Sequence, residues 1–328
     1  MKLGSISNNS RDGCPVLVDR SLRYMVPVKD VIDNWQRAIE NWSAVSPKLE
    51  KIYEKLDKGL AEGAIPYDRS KLSAPFSRAY QWLDGSAYVT HVELLRKARG
   101  VELPANFWVD PLMYQGGSDH FLGPCETIKI KDINWGVDFE GELAVVVDDV
   151  PLGISENKAE QHIKLIMLVD DISLRNLIPD ELNKGFGFVH GKPPSAFGPL
   201  AITPDTIGQS WKDGKVHLPL LIKLNGKKVG FANAGVDMTF SFPELVAHAA
   251  KTRPLRAGTI IGSGTISNSD QQHGYSCIAE IRMIETINEG APHTPFLQYG
   301  DKITMEMLAS DGQSIFGSLE QTEIPMRL

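Results

Sequence analysis

Hydrophobic positions recur at helical spacing early in the chain. Ile32, Trp35, Ile39 and Trp42 fall three and four residues apart and predict a helix. Ser46-Pro47 reads as the N-cap and first residue of a second helix, whose apolar stripe is Leu49, Ile52, Tyr53, Leu56 and Leu60. Aromatics at this spacing read as core rather than as a ligand stack. Residues 2–7 and 16–24 predict short strands around the turn-forming Ser10-Arg11-Asp12-Gly13. Between 61 and 76, Gly63, Pro66, Ser70, Ser73 and Pro75 interrupt the periodicity and read as a linker. The expected division is a small N-terminal α+β domain over 1–74 and a main domain over 75–328.

The main domain reads as β-rich. Strand-like runs lie at 127–131, 140–148, 197–203, 217–224, 258–262, 277–285 and 302–308, with helices expected near 89–99, 156–168 and 242–251. Ser241 and Pro243 stand in cap-like positions for the last of these. Residues 104–126 and 172–196 show no clear period and are too polar and Gly-rich for core. Long loops in a compact domain are usually functional or disordered. These two carry acids, a lysine and histidines, which favours function.

Composition narrows the partners. The 328 residues hold 34 Lys and Arg against 41 Asp and Glu, a net charge of -7, which argues against nucleic acid or an anionic membrane as partner. No apolar run approaches the roughly 18 residues of a membrane helix, and the first residues lack an apolar core of signal-peptide length. Cys14, Cys125 and Cys277 are odd in number and far apart, so neither a disulfide framework nor a zinc knuckle is indicated. The expectation is a soluble, cytoplasmic protein.

Asp138-Phe139-Glu140-Gly141-Glu142 leads into the apolar run Leu143-Ala144-Val145-Val146-Val147. The two-residue period of a strand puts Glu140 and Glu142 on one face. Carboxylates side by side repel unless a cation or proton lies between them. Mg²⁺ or Ca²⁺ is a natural occupant, and a solvated strand face is the alternative. A second apolar run, Ile166-Met167-Leu168-Val169, ends in Asp170-Asp171. Two apolar runs, each with acids at one end, suggest a shared carboxylate cage.

These motifs, with Ile172-Ser173-Leu174-Arg175, Gly191-Lys192 before Ser195-Ala196-Phe197-Gly198-Pro199, and Gly258 through Ser267, resemble the fumarylacetoacetate hydrolase family in order and separation over about residues 76–320. The resemblance implies a mixed β-sandwich roll with a small N-terminal domain. It implies a divalent metal, Mg²⁺ or Ca²⁺ with Mn²⁺ as a substitute, and a homodimer. The implied activity is hydrolysis of a carbon–carbon bond in a β-diketo acid of the fumarylacetoacetate or acylpyruvate type, in aromatic amino acid or aromatic compound catabolism. Carried over residue by residue, the metal ligands would be Asp110, Glu140, Glu142 and Asp171. Tyr114, Lys192 and Thr265 would bind substrate, Lys192 facing its carbonyl. His120, oriented by Glu280, would activate water, with Asp119 a competing metal or base candidate.

On this reading the metal orients a β-diketo group and His120 takes a proton from the attacking water. Lys192 or nearby backbone N–H groups would face the oxyanion. The alternative is a 2-oxo acid decarboxylase, hydratase or isomerase on the same metal platform, or a catalytically silent ligand-binding protein. A positioned histidine–carboxylate dyad would favour hydrolysis.

Overall fold

The computed structural model describes residues 1–98, 100 and 102–326. Its centre is the strand Gly141–Val147, buried on both faces. Leu143, Val145 and Val147 point into one core and Ala144 and Val146 into another, the alternation a strand demands. Antiparallel neighbours Ile163–Asp170 and Ile260–Gly262 flank it. Beyond Ile260–Gly262 the sheet continues through Trp82–Gly85, which pairs in parallel, to Met113–Gly116. In the other direction it passes through Ala196–Ile202 to Lys2–Ile6, Cys14–Val18, Tyr24–Pro27 and Ile65–Pro66. The N-terminal residues therefore extend the same eleven-stranded sheet.

A five-stranded sheet, ordered Lys227–Asn233, Pro219–Leu224, Lys302–Met307, Leu319–Pro325 and Ile128–Ile130, packs on the first core. Leu220, Ile222, Ile303 and Met305 meet Leu143 and Val145 there. A Cβ on Gly141 would come 2.5 Å from Ile222 Cδ1 and 2.9 Å from Leu220 Cδ2, so a larger residue between the two glutamates would push these side chains of the facing sheet aside. The helices Trp35–Glu40 and Trp42–Asp57 cover the opposite face, with Trp35, Ile39 and Leu49 against Ala144, Val146 and Met167. The fold is a sheet-rich α+β sandwich with an N-terminal portion, as expected. No helix among the described residues is long and apolar enough to cross a membrane.

Four local expectations change. The 16–24 segment divides into Cys14–Val18 and Tyr24–Pro27, because Asp19 Oδ1 accepts the amides of Arg23 and Tyr24 and closes a turn. Pro47 lies inside Trp42–Asp57 rather than at its start. The helix expected over 156–168 is a single turn, Glu156–Ala159, followed by the strand Ile163–Asp170. From Leu165 to Val169 every residue is apolar, so the period is uninformative, and pairing on both sides makes it strand. The strand expected over 277–285 is the helix Ile278–Glu289, closed by left-handed Gly290. Alternating Cys277, Ala279, Ile281 and Met283 imitate a strand. Asp138 decides for helix by accepting the first two amides, those of Ile278 and Ala279, at 2.7 and 2.9 Å.

Glu323, on Leu319–Pro325, is fully buried with neither carboxylate oxygen hydrogen-bonded. Burial pushes its carboxyl up to about 8. The folded state therefore holds a proton that the unfolded chain releases near the ordinary carboxylate range. Stability from this group is complete below that range and lost as pH rises through about 8. Glu323→Gln should flatten the fall in melting temperature between about pH 6 and about pH 9 relative to the parent. Parallel curves for the two proteins would contradict this.

Candidate active site

Sheet register, more than proximity in sequence, gathers the acids. Asp84 stands opposite Gly262 in the parallel pair and opposite Tyr114 on its other side. Gly262 in turn stands opposite Ala144, and Gly141 opposite Asp170. A Cβ at Gly262 would lie 2.3 Å from Asp84 Oδ1, so glycine there leaves room for the carboxylate. Asp171 N–H donates to Glu140 O at 3.0 Å just past the strand end. As a result, carboxylate oxygens of Asp84, Glu142 and Asp171 lie within 4.8 Å of one another, all three residues buried.

Asp84 accepts Gly264 N–H at 3.0 Å, and Asp171 accepts Ser195 Oγ at 2.6 Å and Tyr114 OH at 2.5 Å. Glu142 has no hydrogen-bond partner for either oxygen. Burial, then the charges of its neighbours Asp84 and Asp171, pushes its carboxyl well above the ordinary range. Burial and Asp171 do the same to Asp84. Such a group is stable only with a proton or a cation beside it.

Glu140 is held differently. Ser173 Oγ donates to it at 2.9 Å, Arg175 Nη2 lies 2.6 Å away, and Lys192 Nζ lies at 3.1 Å. Burial would raise this carboxyl, but Arg175 and Lys192 together hold it well below the usual range. Lys192 Nζ also reaches Asp171 Oδ2 at 2.5 Å and sits 5.3 Å from the Tyr114 ring centre. Burial works against its charge, yet Asp171 and Glu140 prevail and keep it an ammonium.

Asp138 links this cage to a second group. It accepts Arg175 Nε at 2.9 Å and caps Ile278–Glu289. The cap places Glu280 in the helix's first turn, where its Oε1 lies 2.7 Å from His91 Nδ1. His91 belongs to the helix Val89–Ala98, which follows the Asp84 strand. With Nδ1 engaged by a carboxylate, Nε2 is the nitrogen left to exchange a proton. Cys277 lies behind this pair, its thiol pushed well up by burial and so not a nucleophile.

Asp84, His91, Tyr114, Glu140, Lys192 and Thr265 line one cavity of about 470 Å³. Two expected residues lie elsewhere. Asp110 is exposed and faces His248 at 3.5 Å in a separate hollow, because it precedes the strand Met113–Gly116 that reaches the cage. His120 is exposed in hollows lined by Arg78 and by Pro193 and Pro194, since Phe121 N–H bonds Ser77 O and draws the segment away. Asp119 accompanies it beside Arg78. Asp84 takes the geometric place expected of Asp110, and His91 that of His120. The signal for Asp84 was an acid ending a short apolar pair, as Asp170-Asp171 ends a longer one. His91 offered only a histidine opening a predicted helix, its partner 189 residues away.

The donor set fits a divalent cation: Glu142 is buried without a partner amid two further carboxylates, and all the donors are oxygen. Residues 81–322 match the family model for the fumarylacetoacetate hydrolase C-terminal region, and residues 1–78 match fumarylacetoacetase N-terminal domain 2. The chain belongs to the fumarylacetoacetate hydrolase family.

Among similar members, an oxaloacetate tautomerase of Bacillus subtilis is 28% identical over 246 residues, 74% of this chain and 71% of its own length. A 2,4-didehydro-3-deoxy-L-rhamnonate hydrolase of Sphingomonas is 26% identical over 48% of this chain and 53% of its own. The fumarylacetoacetate hydrolase of Exiguobacterium antarcticum shares the fold at TM-score 0.69 and 16% identity, covering 99% of this chain and 100% of its own. So does the maleylpyruvate hydrolase of Sphingobium, solved with manganese(II) and pyruvate, at TM-score 0.68 and 16% identity over the whole of both chains. This fumarylacetoacetate hydrolase family member therefore has relatives named as hydrolases and as tautomerases.

Asp138→Ala should destabilise the protein by about 2–4 kcal/mol, since it leaves the Arg175 Nε–H and two helix amides buried without their acceptor while Glu140 still pairs with the guanidinium. Urea unfolding measures this, and a loss below about 1 kcal/mol would contradict the linking role.

Proposed function

We propose that this protein is a metal-dependent hydrolase that cleaves a carbon–carbon bond in a β-diketo acid of the fumarylacetoacetate or acylpyruvate type. The observation carrying this reading is the His91–Glu280 dyad, 2.7 Å apart, on the same cavity as the acidic cage. Asp84, Glu142 and Asp171 would hold the ion, with Glu140 at their margin. When bound, the ion supplies a Lewis acid for a dicarbonyl group. An all-oxygen cage suits Mg²⁺, Ca²⁺ or Mn²⁺. The family likeness supports a homodimer, and three scattered cysteines with no disulfide framework support a cytoplasmic enzyme.

His91 takes a proton at Nε2 from water as the oxygen adds to a carbonyl carbon, while Glu280 stabilises the resulting imidazolium. Lys192, already charged, faces the oxyanion that forms. The carbon–carbon bond then breaks, its electron pair leaving as an enolate on the oxo acid fragment, a 2-oxo acid from an acylpyruvate and a 3-oxo acid from fumarylacetoacetate. The proton on His91 returns to that carbon and completes a neutral exchange. Tyr114 and Thr265 line the same wall and orient the substrate's polar end.

A second reading rests on the Bacillus subtilis relative: the same dyad moving a proton between carbon and oxygen of oxaloacetate. Parallel assays separate the two, following absorbance of a panel of β-diketo acids and the keto–enol change of oxaloacetate. The hydrolase reading predicts metal-dependent loss of diketo absorbance, removed by chelation and by Glu142→Ala. His91→Ala should lower turnover about 100- to 10,000-fold, and His120→Ala should leave it unchanged. Tautomerisation of oxaloacetate without cleavage of any diketo acid would overturn the hydrolase reading.

A further inference from the structure

Cys277 and Glu280 stand three positions apart around the start of the helix Ile278–Glu289, and His91 faces them from the helix Val89–Ala98. Donor atoms of all three lie within 4.8 Å of one another. Glu280 N–H points at Cys277 Sγ, 3.4 Å away, which fixes the sulfur beside the carboxylate's own residue. Cys277 and Glu280 are buried, whereas the His91 side chain is 13% exposed and lines the cavity. A cation in the cavity thus meets nitrogen first, with oxygen and sulfur behind it.

This donor set differs in kind from the cage of Asp84, Glu142 and Asp171. One imidazole, one thiol and one carboxylate suit a borderline ion such as Zn²⁺, which takes nitrogen and sulfur ligands and needs only four positions. Tetrahedral zinc sets its ligand atoms about 3.3–3.7 Å apart, from bonds of about 2.0–2.3 Å. The present separations, from 2.7 Å to at most 4.8 Å, bracket that spacing and require side-chain adjustment only. Three protein ligands leave the fourth position to water.

We propose that His91, Cys277 and Glu280 form a second metal site, selective for zinc-like ions, whose occupation silences the enzyme. Binding displaces the thiol proton to solvent and leaves sulfur as thiolate on the ion. It also takes the imidazole nitrogen and the carboxylate out of the dyad. The silencing rests on the proposed role of His91 as base; the binding does not. Hard ions in the oxygen cage would support turnover while zinc in this site opposes it.

The test is a Co²⁺ titration of the full, metal-free chain, reading sulfur-to-cobalt charge-transfer absorption in the near ultraviolet. With excess Mg²⁺ added to fill the oxygen cage, the site predicts such a band complete at one equivalent, its bleaching by Zn²⁺, and its persistence in Glu142→Ala, which damages only the cage. Cys277→Ser should remove the band. His91→Gln, a change at the partly exposed ligand, should weaken Co²⁺ binding at least about 10-fold and serves if the buried serine variant does not fold. With turnover supported by Mg²⁺, Zn²⁺ should inhibit the parent, and Cys277→Ser should need at least about 10-fold more Zn²⁺ for the same inhibition. No band in the folded parent, or a band unchanged in Cys277→Ser because Cys14 or Cys125 supplies it, would overturn the site. A band with no inhibition would overturn the silencing. If no substrate is turned over at all, the function proposed above fails and the spectrum still decides the site.

Discussion

Negative charge concentrated out of water is the constraint around which this molecule is arranged. Asp84, Asp138, Glu140, Glu142 and Asp171 are all buried within one region. The cations in contact with them are Lys192 and Arg175, and those are spent on Glu140, Asp138 and Asp171. Glu142 and Asp84 are left without a counter-charge, and their carboxyls are pushed up accordingly. A low-dielectric site with this balance rests on a bound cation or on retained protons. Everything proposed about its chemistry follows from the first of these.

The fold supplies the rigidity such an arrangement needs. Adjacent strands of a single sheet set the backbone positions of Asp84, Glu142 and Asp171, so the donors are fixed by hydrogen-bond register. At Gly141 and Gly262 a facing side chain or carboxylate lies close to where a Cβ would stand. Asp138 then joins sheet to helix. By pairing with Arg175 and capping Ile278–Glu289, it ties the position of Glu280, and through it His91, to the cage. The His91–Glu280 pair and the acids are one mechanical unit although they are distant in sequence.

Much of this was legible in the residues. The acidic strand, the Asp170-Asp171 terminus and the sandwich of short strands carry local signals: a two-residue period and acids at the ends of apolar runs. Lys192, in a Gly/Pro loop, was legible only through the family resemblance. The misplaced elements failed where the local pattern was degenerate. Leu165 to Val169 are apolar on both faces, and the residues around Ile278 alternate like a strand while an acid 140 positions earlier caps them as a helix. His91 carried no local signal for the same reason: its pairing is with Glu280, which tertiary packing brings to it. His120 follows Tyr114 at nearly the distance the family pattern expects and Asp110 stands farther off than it expects; sheet pairing begins between them, at Met113, and carries neither residue to the cage.

The most direct measurement is to count Mn²⁺ bound by the metal-free protein, using the electron paramagnetic resonance signal of the free ion, in the parent and in Glu142→Gln. The account predicts one tightly held Mn²⁺ per chain in the parent and loss of that binding in the variant, with both proteins folded. Absence of binding in the parent, or equal binding in the variant, would mean that the buried carboxylates are balanced by protons and that the site is not a metal centre.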